Sequence, residues 1–443
     1  MKWFSSKIKN TTKDLNNETL TKFGRFSDSY KHSDQYLSWT KSLEAFEKKL
    51  YIDSFQFLVH YMNNQKANSI VIQEQSESLI KFYILHGSKK IEVTIQDDYF
   101  EAYVKIVKAS QLNIGYLRRL VEQNFDLHYC RYALDCDNII LLKFESPFVD
   151  ASPYKIYFAL KEMATKADKD DDLLLAEFEM LEEIESGHKV YNTLEEKESK
   201  YNYLMSTISQ LKTVFDDEDG VVNYYPAAAS MYLLSKVYTL DYLLKPEGNL
   251  MHTFEVINST YFLNDTKNIV QKNNEIKKEL LGLTTIPKEE YFLQFYNIPF
   301  TFGITTPQTS AEYSQFVLKE IIMIDDYISN NNIELALAVA NYIVGYTLFN
   351  NAPPKPINDL LRLYQCIIHA DFFDTYGQSA YYDEKGVLDK SNIKSAINDL
   401  KEKNEEEYPN FDPDVNLINF TEIQLFVKSF LLMTTNLDCT KKS

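Results

Sequence analysis

The stretch FDLHYCRYALDCDNIILLKFESPFVDASPYKIYFALKEMATKAD, residues 125–168, decides the fold, because two periodicities meet inside it. Phe125, Leu127, Tyr129 and Ala133 alternate with Asp126, His128, Cys130 and Tyr132, the two-residue period of a strand with one face turned inward. Asp135-Cys136-Asp137-Asn138 has the chemistry of a turn, and Ile140, Leu142 and Phe144 alternate onward as a return strand, so the segment reads as a β-hairpin. Ser152-Pro153 then supplies a cap residue and a first-turn proline, and Ile156, Ala159, Leu160 and Met163 follow at helical spacing. The acid run after them, "KADKDDD", reads as a solvated junction. Beyond it the helical pattern resumes at Leu174, Phe178 and Leu181 and stops near Gly187.

Upstream the same two periods recur. From Gln35 to Met62 apolar residues stand at Trp39, Leu43, Phe46, Leu50, Phe57, Leu58 and Tyr61, a helical face, with Asp53 placed to cap a second helix of a pair. The period then shortens. Ile70 and Ile72, then Ile80, Phe82 and Ile84, then Ile91, Val93 and Ile95, then Ala102, Val104 and Ile106 alternate with largely polar neighbours, separated by turn chemistry at Gln75-Ser76-Glu77, His86-Gly87-Ser88 and Asp97-Asp98. Asn113 is placed to cap a helix carrying Ile114, Leu117, Leu120 and Val121. Antiparallel strands joined by tight turns and flanked by helices give an α+β fold class.

Downstream, twelve acids against four lysines between Asp168 and Lys200 make the steepest charge shift in the chain, and the domain boundary is expected there. The expected organisation is a flexible N-terminal tail over 1–35, an α+β domain over 36–187 and an all-helical domain over 188–443. Helical patterns recur at 193–215, 224–245, 250–282, 309–330, 332–349, 354–372, 390–404 and 415–435, with breakers such as KPEG, NAPPKP and NFDPDVN between them. No 34-residue period links these helices into a repeat array.

Composition narrows the chemistry. The 443 residues carry 64 acids against 46 bases, a net charge of −18, so the bulk of the molecule offers no basic footprint for nucleic acid. Residues 1–35 are opposite in sign, and Trp3, Phe4 and Ile8 beside Lys2, Lys7 and Lys9 form one short amphipathic patch, too small for firm membrane attachment. The N-terminus lacks a continuous apolar signal segment, and the apolar run ELALAVANYIVGYTLF is interrupted by Asn341 and Gly345, so no stable membrane insertion is expected. Four scattered cysteines, Cys130, Cys136, Cys366 and Cys439, point to a reducing, cytoplasmic setting.

His128 and Cys130 share a strand face if the hairpin is regular, but two ligands do not make a zinc site. His369, Asp371 and Asp374 stand close in sequence, yet at about 100° per residue the first two fall on nearly opposite sides of a helix. Alignment on Gly220 of DDEDG places Phe215 where a calcium loop needs its first acid, and Gly386 likewise places Tyr381 there. GxxxxGK[ST], GxGxxG and GxSxG do not occur. No catalytic residue, cofactor or metal ligand is therefore assigned.

The order helix, antiparallel strands, helix, hairpin and helix between Gln35 and Gly187, carried most clearly by residues 125–168, resembles the YbjN family and the type III secretion chaperone fold it shares. This sequence departs from the pattern by an extra strand at Asp98–Ala109 and by the large helical addition. The resemblance implies non-catalytic, regulatory or chaperone-like work: a protein partner or client polypeptide held along the surface, with a homodimer among the assemblies it allows. The expected contact surfaces are the sheet of residues 69–146 and the cleft between domains. The alternative is an enzyme or metal-binding protein with a site near His369 in the helical domain.

Overall fold

Alternation over residues 70–147 closes into one antiparallel sheet in the computed structural model, which describes residues 23–64, 67–217, 220–376, 381–383 and 385–442. Residues 1–22, and with them the amphipathic patch at Trp3, Phe4 and Ile8, lie outside the described residues.

Helices α1 (Ser33–Glu47) and α2 (Tyr51–Met62) lead into strands β1 (Ile70–Gln75), β2 (Ile80–His86), β3 (Lys89–Gln96) and β4 (Tyr99–Ala109). Then come α3 (Ile114–Asn124), the hairpin β5 (Arg131–Leu134) and β6 (Ile139–Pro147), the long helix α4 (Pro153–Glu177) and β7 (Leu181–Glu183). The strand order is β1-β2-β3-β4-β6-β5, with β7 pairing the end of β4. Register explains the burial: Ile84, Ile91, Val104, Leu142 and Tyr132 sit side by side across five strands, as do Phe82, Val93, Ala102 and Phe144 across four. These rows are buried, and α4 covers them with Ile156, Ala159, Leu160, Met163 and Ala164.

The opposite face is closed by polar pairing. Tyr103 donates to Glu92 at 2.6 Å, Lys143 bridges Glu101 at 2.7 Å and Glu145 at 3.0 Å, and Arg131 meets Glu145 at 2.6 Å. Across β3, β4, β6 and β5 this face carries matched cross-strand charges, with Tyr83, Leu85 and Leu141 half-buried beside them.

The second part holds α5 (Leu194–Asp216), α6 (Pro226–Leu244), α7 (Gly248–Phe262), α8 (Ile269–Gly282), α9 (Ser310–Glu320), α10 (Ile322–Ser329), α11 (Ile333–Asn350), α12 (Lys355–Ile368), α13 (Lys390–Asn404) and α14 (Ile423–Thr435), with shorter helices at Val221–Tyr224, Lys288–Leu293 and Ala370–Asp374. Central α6 is apolar around its whole circumference and buried along most of its length. It lies against α11 so closely that a Cβ on Gly345 would stand 2.5 Å from that of Tyr238. By length and composition α11 is apolar enough to cross a membrane, but two-thirds of it, 67%, is buried inside this fold.

Three sequence expectations are corrected. The acid run does not interrupt a helix, since α4 continues through it to Glu177, and Leu181 belongs to a strand. The hairpin's first strand begins at Arg131, not Phe125, because the Glu162 carboxylate takes the N–H groups of His128, Tyr129 and Cys130 that a ladder would have used. The second part is not wholly helical: Val190–Tyr191 pairs antiparallel with Tyr296–Asn297, and Thr306–Pro307 pairs parallel with Asn351–Ala352. Apart from Phe302, the core of the sheet part ends at Leu181, and apart from Phe23, that of the helical part starts at Leu204.

Candidate functional site

Two segments stitch the parts together. The first is the loop after Tyr296–Asn297, which leaves the helical part and docks on the sheet. Thr301 donates through Oγ1 to the Leu85 carbonyl at 2.9 Å, Gly87 N–H donates to Pro299 at 3.1 Å, and the N–H groups of Thr301 and Phe302 approach His86 Nδ1 at 3.4 and 3.3 Å. Burial pushes the His86 imidazole down to about 3, with the Lys161 charge adding to it, so the ring is neutral and free to accept. Phe302 completes the sheet-side core, edge-on to Tyr157.

The second segment is a strap, residues 23–32, which corrects the expectation of a free tail as far as it is described. Phe23 enters the helical core among Phe372, Phe373 and Tyr376. Gly24 has φ +70°, and a Cβ there would stand 2.6 Å from the Tyr242 ring, so the position requires glycine. Arg25 forks onto Asp241 with contacts of 2.9 and 2.8 Å, reaches Glu255 at 3.1 Å and lies 3.6 Å over the Phe349 ring. Phe26 stacks on Phe300 of the docking loop.

Between these segments lies the cleft, a cavity of about 490 Å³. Its apolar walls include Phe26, Leu127, Met251, Phe300, Phe302 and Ile304, contributed by both parts of the chain. Most of its charged residues are engaged in holding the walls. Arg25 is paired as above, Lys169 reaches Glu255 at 3.3 Å, and Glu162 binds the three backbone N–H groups. Asp168 accepts from the Ser88 N–H at 2.6 Å.

That last contact belongs to the acid run, which is buried, not solvated. Asp171 takes Lys89 Nζ at 2.5 Å and Ser88 Oγ at 2.9 Å, and the Lys89 ammonium also donates to the Ile106 carbonyl at 2.9 Å. Lys89 and Asp171 are both 1% exposed. Asp170 accepts from the Tyr132 hydroxyl and pairs with Lys166 at 3.3 Å. Gly87, at φ +57°, lets the Asp168 carboxylate lie where a side chain would be. The acids thus anchor α4 to the β2–β3 turn. Asp172 and Glu247 carry the cluster across to the start of α7, where the Asp172 carboxylate packs on Gly248. Sequence reasoning missed these residues. The available signal was the turn His86-Gly87-Ser88-Lys89, which supplies a hydroxyl, an N–H and an ammonium together.

No family model matches the chain, and no curated protein matches it.

The residues singled out by sequence do not assemble. The His128 side chain is 83% exposed and 3.4 Å from Glu162, whereas Cys130 points inward with Sγ 3.4 Å from the Ala159 carbonyl; all four cysteines are free thiols. His369 Nδ1 meets the Tyr203 hydroxyl at 3.3 Å, and burial pushes its imidazole down to about 3, while Asp371 and Asp374 are exposed. Among the described residues no group of three or more His, Cys, Asp or Glu side chains is arranged to hold a metal ion. Glu218, Asp219 and Glu384, from the two acidic loops tested against the calcium pattern, lie outside the described residues.

The acid cluster predicts a pH dependence. Burial, then the Asp171 charge, pushes Asp168 up to about 7; burial lifts Asp170 to about 7; and burial, then Asp171 and Asp168, lifts Asp172 to about 8, from an ordinary 3.8. Each carboxyl keeps in the folded state a proton that the unfolded chain has released, so stability falls as pH rises through 7–8. Below about 6.5 the neutral His86 and His369 oppose this, since unfolding lets them take up protons. Between pH 6.5 and 8.5 a stability loss of about 2 kcal/mol is expected, read as a falling melting temperature. Asp172→Asn, which mimics the protonated carboxyl, should flatten the slope, and an unchanged slope would refute the assignment.

Proposed function

We propose that this protein is a non-catalytic, protein-binding regulator or chaperone-like factor that holds a segment of a partner polypeptide in the cleft between its sheet and helical parts. The observation that carries this reading is the cleft itself, apolar in its walls and ringed by charged groups whose bonds hold the walls in place. A cavity of about 490 Å³ accommodates one or two large apolar side chains, and the surrounding lysines and acids suit the polar backbone on either side. The resemblance to the YbjN and secretion-chaperone pattern implies the same class of work. The open face of the sheet is the weaker candidate, because its charges are already matched to one another.

The test is site-specific photo-crosslinking in the native cell, with a benzophenone side chain placed at Met251 or Ile304 in the cleft and at Thr94 on the open sheet face. The expected result is a polypeptide adduct from the two cleft positions and none from Thr94. Met251→Glu should remove the adduct at Ile304 while leaving the melting temperature within about 1 kcal/mol equivalent of wild type, since the cleft wall is solvent-lined. Adducts confined to Thr94, or retention of a small molecule in native mass spectrometry with no polypeptide adduct, would overturn the reading.

A further inference from the structure

The strap has a second cavity on its other side, about 420 Å³, and its charge is opposite to that of the molecule. Among its lining residues, Arg25, Lys31, Lys245, Lys355, Arg362 and Lys403 are cationic and only Asp28 and Asp359 are acidic, in a chain whose net charge is −18. Such a concentration of positive charge inside an acidic protein focuses the field on one small volume.

The two acids are already engaged. Asp28 accepts from the Tyr157 hydroxyl at 2.6 Å and stands 3.7 Å from Lys161. Asp359 is shared between Lys355 at 3.3 Å and Lys403 at 3.6 Å, and it also accepts from the Asn404 amide at 3.3 Å. Lys31 decides the matter. It is 7% exposed, its ammonium lies 4.7 Å over the Tyr61 ring, and no carboxylate of the described residues stands within ion-pair distance of it. A buried ammonium without a counter-charge is costly to maintain unless an anion completes it. Burial lowers Lys31 to about 8, with Asp28 opposing, so it remains charged at neutral pH.

We infer that this cavity is a binding site for a small phosphorylated molecule, its phosphate seated against Lys31 and the Lys355–Lys403 side of the wall. Phosphate fits better than a single carboxylate because Lys31, Lys355 and Lys403 line one cavity and a phosphate ester carries up to two charges on three accepting oxygens. The volume exceeds that of inorganic phosphate alone, and Phe26, Tyr30 and Phe300 offer an organic body aromatic surface. This cavity shares Arg25, Phe26, Lys245 and Phe300 with the cleft proposed to hold a polypeptide, but Lys31, Lys355 and Lys403 line it alone, so a change at Lys31 tests it separately from the cleft.

The test is isothermal titration of the full chain with inorganic pyrophosphate and with adenosine diphosphate, at low ionic strength and pH 7 without divalent metal. One-to-one binding that weakens with added salt is expected. Lys31→Met should weaken it about tenfold or more, the loss of a charged hydrogen bond. The same variant without ligand should melt no lower than wild type, because it removes a buried charge, so lost binding does not reflect lost folding. Ligand should raise the melting temperature of wild type and leave that of Lys31→Met unmoved, whereas Lys267→Gln, on the remote surface, should bind as wild type. Absence of saturable heat with both anions into the millimolar range, or equal affinity in Lys31→Met, would overturn the assignment.

Discussion

Lys89→Met is expected to destabilise the protein by about 3–5 kcal/mol at neutral pH, the loss found when one member of a buried ion pair is removed. Lys89 and Asp171 are equally inaccessible, and the ammonium serves both the carboxylate and the Ile106 carbonyl, so methionine leaves the buried Asp171 charge with the Ser88 hydroxyl alone and takes a donor from the carbonyl. The loss should be smaller at pH 5.5, because burial already holds the Asp171 carboxyl above its ordinary range and the orphaned acid can take a proton. Lys89→Met combined with Asp171→Leu should recover most of the stability, since an apolar pair of similar volume restores packing without stranding a charge. Urea unfolding followed by tryptophan fluorescence reads the effect, Trp39 standing in the sheet part against Tyr61 and Tyr154. A single variant within about 0.5 kcal/mol of wild type would show that the pair contributes nothing net.

Arg25→Ala should have a comparable cost, about 3–5 kcal/mol, but a different place of action. It strips Asp241 of both its short bonds, removes the contact to Glu255 and uncovers the Phe349 ring. Burial raises Asp241 against the pull of Arg25, so without the guanidinium the acid stays protonated to higher pH and the defect shrinks on acidification. Hydrogen exchange should show lost protection at residues 23–32 and at α6 while β2–β4 keep theirs. Arg25→Lys should recover only part of the loss, because an ammonium cannot reproduce the two-pronged fit on Asp241. Equal loss of protection across the sheet would place the strap's role elsewhere.

The sheet was legible because one face of it is wet: Ile80, Phe82 and Ile84 alternate with polar neighbours, and that pattern has one reading. Helix caps at Asn113 and Ser152 were legible for the same local reason, and both side chains accept the expected N–H. What failed depended on partners distant in sequence. Asp168 and Asp171 look solvated until the turn at Ser88 and Lys89 is placed against them, 80 or more positions earlier, and Asp170 until Tyr132 is. Residues 128–130 look like a strand until Glu162 captures their N–H groups from α4. Two-residue ladders such as Val190–Tyr191 are too short to have a period at all. The cleft was foreseeable only as a place between domains, since its lining comes from six separate stretches of the chain.

The strap also constrains how the chain can be made and cut. Phe23 is synthesised before the sheet, yet Arg362, which grips its carbonyl at 2.9 Å, is 339 positions later. The strap therefore cannot take its final place until Arg362 has been made, and its docking closes a loop of 339 positions. Severing the polypeptide between Leu181 and Leu204 would leave the C-terminal fragment with Asp241 facing an empty slot. The two halves are joined by topology as well as by contact.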